Sequence, residues 1–272
     1  MSQGIIEERV KRGLLLVNAC DSNRITCRLL GGVAVVYLVR DIYAEVPMLL
    51  REPKDIDIAA HRRDSGRITR IFEGLGLRAD VRFNALHGAE RLRFFDTQMN
   101  TRVDVFLDIF RESHVIELKD RLERFSPTIP PSDLLMTKFQ IWEINEKDLR
   151  DIVAMLYKFE LGDRDDTGTI DLGRIIELTS DDWGGLYKTT TVNIERTLNY
   201  LNTIELPGKV KDKVVNSLNR IREAMDKAPK SMKWRMRAAI GGRGLGGTKH
   251  LRRLEHSMQC YLLIYALSSL HQ

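Results

Sequence analysis

The sequence predicts an α+β protein: a small unit of mixed strands and helices over residues 1–125, followed by a mostly helical domain over residues 126–272. Three observations predict it. Apolar residues before residue 125 recur in turn at the spacing of a helix and at the spacing of a strand. The prolines Pro127, Pro130 and Pro131 then disfavour helix and mark a boundary. Beyond them the apolar residues recur almost entirely at helical spacing. With 272 residues, 43% of them hydrophobic, the chain is long enough to bury a sizeable core.

Taken in order, Ile6, Val10, Leu14 and Val17 predict an N-terminal helix that ends near the turn-forming Asp21-Ser22-Asn23. A short strand runs up to Gly31-Gly32, and a helix follows through Val33–Val39. Lys54–Ala60 alternates Asp with Ile and reads as a strand. Ser65–Leu75 reads as a helix closed by Gly74 and Gly76. Arg78–Asn84, Leu92–Thr97 and Thr101–Ile109 are three further expected strands. In the second domain Leu134, Leu135, Ile141 and Trp142 form one apolar stripe and Leu149, Ile152, Val153 and Leu156 another. Val210, Val214, Leu218, Ile221 and Met225 form a third, and a last helix is expected over Lys249–Leu270.

Composition narrows the function classes. The longest apolar run, Leu29–Val39, is broken by two glycines and is far shorter than the ~20 residues of a membrane span. The mixed-charge start differs from a signal peptide, which predicts a cytoplasmic protein. Cys20, Cys27 and Cys260 form no C-x-x-C pair, which argues against a disulfide framework or a zinc knuckle. No H-E-x-x-H or G-x-S-x-G occurs, and Gly241–Lys249 lacks the G-K-[ST] order of a P-loop, so it reads as a flexible basic loop. The segment 228–255 carries Lys230, Lys233, Arg235, Arg237, Arg243, Lys249, Arg252 and Arg253 against the single acid Glu255. Such a patch suits a polyanion such as RNA, or is simply a solvated basic stretch.

The chemistry concentrates in the first domain. In Lys54-Asp55-Ile56-Asp57-Ile58 the period of two places Asp55 and Asp57 on one face of a strand. Carboxylates held side by side repel unless a cation lies between them. Asp104, in Val103-Asp104-Val105-Phe106, supplies a third if its strand pairs beside the first, and three such carboxylates can hold two divalent cations. Gly31-Gly32, at the start of a helix, offers bare backbone and free N–H groups to a phosphate.

Leu30-Gly31-Gly32-Val33-Ala34, the D-x-D of Asp55 and Asp57, and Asp104 together resemble the glycine pair and three carboxylates of the polymerase-beta-like nucleotidyltransferase superfamily, over residues 25–110. The resemblance implies a small mixed sheet, Asp55, Asp57 and Asp104 as ligands of Mg2+ (or Mn2+), and an NTP held at Gly31 and Gly32. The stretch Arg40–Pro53 is longer than in many members and reads as an insertion. Its Arg40 and Arg51 are candidate phosphate contacts, though surface arginines are commoner.

In the helical domain Lys138 falls where the stripe of Leu134 and Leu135 calls for an apolar residue. It can meet a nucleotide phosphate, pair with a carboxylate, or reach solvent from the stripe's edge. Asp148 and Asp151 lie one turn apart on adjacent faces, where Asp151 would orient Lys138 or the acceptor unless the helix is simply exposed. Lys138 and Lys147-Asp148-Leu149-Arg150-Asp151 resemble elements of the AbiEii-type toxin branch of the superfamily. That resemblance implies nucleotidyl transfer to tRNA, catalytic roles for Lys138 and Asp151, and an antitoxin protein as partner. A small-molecule adenylyltransferase of the antibiotic-modifying kind and a non-catalytic nucleotide-binding module are the alternatives.

Overall fold

The computed structural model describes residues 3–242. Five strands, β1 (Cys27–Leu30), β2 (Ile56–Ala60), β3 (Leu77–Ala79), β4 (Arg91–Asp96) and β5 (Thr101–Leu107), form one sheet in the order β1-β2-β5-β4-β3. The sheet is mixed, with β2 and β5 parallel and every other neighbouring pair antiparallel. Alternation along the strands separates its faces. Leu29, Ile56, Ile58, Leu92, Phe94, Val103 and Val105 are buried and lie on one face by register. Helix α1 (Gln3–Ser22) covers that face closely enough that a Cβ on Gly13 would stand 2.9 Å from Leu29 Cδ2. Helix α3 (Ser65–Gly74) seats Phe72 edge-on against Phe94 at 5.3 Å.

Helix α2 (Gly31–Val39) is apolar all round, and seven of its nine residues are buried. A helix of that composition needs cover on every side. It packs on α1, β1 and β2, and on α5 (Pro131–Phe139) and α6 (Glu146–Lys158) of the helical half. Helices α7 (Leu172–Asp181), α8 (Lys188–Leu201), α9 (Gly208–Lys227) and α10 (Met232–Gly242) complete that half. Val210, Val214, Leu218, Ile221 and Met225 of α9 are all buried, as their spacing predicts. Two small ribbons join them, β6 (Ile109–Arg111) with β7 (Val115–Glu117) and β8 (Glu160–Gly162) with β9 (Thr169–Asp171). A single buried apolar cluster runs from Leu16 to Met225. The proline segment joins the two halves closely: Ile129 N–H donates to Leu29 O at 2.9 Å and Leu29 N–H to Pro127 O at 2.8 Å.

The structure corrects four expectations. Around the expected strand Arg78–Asn84 only Leu77–Ala79 is strand; Val81–His87 is a helix, α4, capped where the Asp80 carboxylate accepts from the Phe83 N–H at 2.9 Å. The strand expected over Thr101–Ile109 breaks at Asp108, whose φ of 64° turns the chain before β6. The stripe through Trp142 is not one helix, since α5 ends at Phe139. Gly241 and Gly242 belong to the end of α10, not to a loop. The expected helix Lys249–Leu270, Cys260 and the rest of the basic segment lie outside the described residues. Cys20 and Cys27 are buried and free. Among the described residues no helix is long and apolar enough to cross a membrane.

Candidate active site

Asp57 of β2 is the register partner of Asp104 on β5, so both carboxylates leave the middle of the sheet on the face opposite α1. Asp104 is fully buried, and a buried carboxylate demands compensation. Three arginines supply it: Arg91 Nη2 at 2.8 Å, Arg93 Nε at 3.1 Å and Arg102 Nε at 2.9 Å. Asp55 lies just before β2 and accepts from Arg102 Nη2 at 2.6 Å. These arginines escaped the sequence reading. The signal for two of them is the alternation Arg91-Leu92-Arg93, which puts both guanidinium groups on one face of β4.

Asp57 makes no ion pair among the described residues. Burial pushes its carboxyl up to about 7, and the neighbouring charges of Asp104 and Asp55 add to the shift against the opposing pull of Arg91 and Lys138. Beside it stands the glycine turn, since Leu30 is the β1 partner of Asp57. Gly31 has φ 67°, and a Cβ there would overlap the Asp57 carboxylate. Both the backbone angle and the close approach therefore require glycine. Leu30 caps α2 without a side-chain hydrogen bond, leaving the first-turn N–H groups for another acceptor.

The helical half closes the site. Lys138 Nζ lies 3.0 Å from Asp148 Oδ1 and 2.9 Å from Asp151 Oδ2, with all three side chains buried. Of the readings open to Lys138, the structure gives the carboxylate partner, and Asp148 and Asp151 face the same cation. Arg51 also holds Asp151, through Nε to Oδ1 at 2.8 Å and through Nη2 to Oδ2, the oxygen that Lys138 faces. A Cβ on Gly32 would overlap the Arg51 guanidinium, whose Cζ would be 2.9 Å away. Arg51 thus links the glycine pair to the Lys138 cluster. Burial alone would lower the Lys138 pKa, but Asp151 and Asp148 outweigh it and hold the ammonium charged. Burial would likewise raise Asp151, and Lys138 and Arg51 bring it below the usual carboxylate range.

Two candidates lie elsewhere. Arg40 is exposed, its guanidinium 5.2 Å from the Tyr37 ring. In the basic segment Lys233 and Arg237 each face an acid at 3.3 Å, Asp181 and Asp182.

Asp55, Asp57 and Asp104 offer oxygen donors only, which suits a hard divalent cation. The suppressed acidity of Asp57 is the condition that such a cation would relieve. Against this, no group of three His, Cys, Asp or Glu side chains among the described residues is arranged to hold a metal ion. Asp104 and Asp55 are instead paired with arginines. No known protein family, curated protein or solved structure matches the chain.

Proposed function

We propose that this chain is a nucleotidyltransferase that moves a nucleoside monophosphate from an NTP to an acceptor, with RNA such as tRNA as the acceptor class. One observation carries the proposal: the glycine turn, the Asp57–Asp104 register pair and the Lys138–Asp151 cluster meet at one place although they come from distant parts of the chain. Gly31, Gly32 and the free N–H groups of α2 would hold the triphosphate. Lys138, kept charged by Asp148 and Asp151, would offset negative charge near Asp57 and the phosphates. Asp151 positions Lys138 and Arg51. Asp55, Asp57 and Asp104 would hold Mg2+ or Mn2+, which when bound supplies positive charge to the reacting phosphate and the leaving group. Asp104 would accept the proton of the acceptor hydroxyl once its arginines let go. A cytoplasmic location and an antitoxin partner belong to the same proposal, as what the family resemblance implies.

A second reading, a nucleotide-binding module without turnover, is favoured by the three arginines on Asp104. The test is incubation of the purified chain with each α-32P-labelled NTP, Mg2+ and total tRNA, beside a sample without RNA and an Asp57→Asn variant. Label on RNA that requires Asp57 supports the transferase and names its nucleotide. NTP binding with no label transferred to any acceptor sinks it in favour of the module.

A further inference from the structure

The carboxylates sit on β2 and β5, in the middle of the sheet, with the glycine turn on their β1 side. On their other side, toward β4 and β3, lies an open cleft of about 530 Å3 lined by Arg78, Asp80, Arg82, Arg93, Phe95 and Arg102. Four guanidinium groups thus face one carboxylate, and that of Asp80 is already engaged by the Phe83 N–H. Arg93 and Arg102 are the same residues that contact Asp104, so the cleft is continuous with the carboxylates. Arg78 and Arg82 are exposed and make no ion pair among the described residues. An aromatic ring of the lining lies beside these cations: the Arg78 guanidinium is 6.0 Å from the Phe95 ring.

We infer that this cleft binds the phosphodiester backbone of a single-stranded RNA and leads its end to the carboxylates. Calling that strand the acceptor rests on the transferase reading; its binding does not. Arginine forks match phosphate oxygens in pairs, and cations interleaved with aromatic faces suit a strand whose bases stack while its backbone is neutralised. A small-molecule site would enclose most of its ligand, and this cleft is only about half enclosed. The glycine turn occupies the opposite flank, so donor and acceptor would reach the carboxylates from two sides.

The test is a titration of the full chain with a fluorescent single-stranded oligouridylate over a range of salt, without NTP, in the wild type and in Arg78→Gln/Arg82→Gln. A parallel titration uses a fluorescent ATP analogue. Neither arginine touches a carboxylate, and both are exposed, so the variant is expected to fold. RNA binding should weaken by about tenfold or more, and the log-log salt slope should shrink by about 1.4, ~0.7 for each phosphate that is no longer neutralised. The affinity for the ATP analogue should not change. An unchanged RNA affinity and slope, or no RNA binding by the wild type, would overturn the inference. So would loss of the ATP analogue alone, which would make the cleft a triphosphate site. If the RNA effect appears but no NTP label moves in the transfer assay, the strand-binding cleft stands and the transferase reading fails.

Discussion

At the scale of single residues, Asp57 is held at an energetic cost that Arg91 and Lys138 offset only in part. Its folded-state pKa of about 7 lies above the unfolded value near 3.9. The folded protein therefore binds this proton more tightly than the unfolded chain. The resulting stability is fully present below about pH 4 and is lost as the pH rises to about 7, by at most about 4 kcal/mol. Asn cannot ionise, so Asp57→Asn should match the wild type in urea unfolding at about pH 4 and exceed it at about pH 8. A gap that does not grow with pH would refute the assigned burial. Added Mg2+ should raise the melting temperature of the wild type at the higher pH and leave the variant unmoved. The neighbouring Gly31 is constrained on two counts, its φ of 67° and its approach to Asp57. Gly31→Ala should cost about 1–2 kcal/mol from the left-handed backbone alone, and more if Asp57 must shift. Equilibrium unfolding at a fixed pH measures it, and a loss under a few tenths of a kcal/mol would show that the turn relaxes easily.

At the scale of elements, α5 and α6 are fastened by a buried cation between two buried acids. Lys138→Met removes the charge that both Asp148 and Asp151 face. Asp151 keeps Arg51, whereas Asp148 has no other ion pair among the described residues. Breaking a buried pair this way costs roughly 3–5 kcal/mol. Adding Asp148→Leu should return part of that loss, because it removes the orphaned charge. If Lys138→Met is nearly neutral in urea unfolding, the cluster is hydrated and does not hold the helices together. The sequence carried a signal for this clamp: a lysine on an apolar stripe, and an acid pair one turn apart in the next helix. The D-x-D strand and the helix behind Gly31-Gly32 were legible for the same reason, since their patterns are local. Long-range pairings were not. Nothing local in Arg51 indicates that it meets a side chain 100 positions away. Nor does β4 reveal by itself that it lies against β5 and turns its arginines onto Asp104. In α4 the alternation of Val81 and Phe83 mimics a strand, while the deciding feature is a single side-chain cap from Asp80.

At the scale of the whole molecule, the prolines that suggest a boundary near residue 126 coincide with a join. Residues 127–129 hydrogen-bond along β1, and α2 is covered on one side by α1 and the sheet and on another by α5 and α6. The buried apolar cluster is continuous across both halves. Units that share so much buried surface should unfold together, since exposing α2 in one half removes the cover that the other half needs. The chain from residue 1 to 242 should therefore melt in one transition, coincident by circular dichroism and fluorescence, with the calorimetric enthalpy equal to the van't Hoff enthalpy. A fragment of residues 1–125 should show no cooperative melt, although it contains the whole five-stranded sheet, because it lacks α5, α6 and the segment beside β1. Two separable transitions, with the fragment reproducing one of them, would instead make the halves independent domains. The outcome also bears on the site. Asp57 comes from one half and Lys138 with Asp151 from the other, so a single cooperative unit would hold them in a fixed relation. Independent domains would let that relation vary, and nucleotide binding at the glycine turn would then raise the stability of one transition before the other.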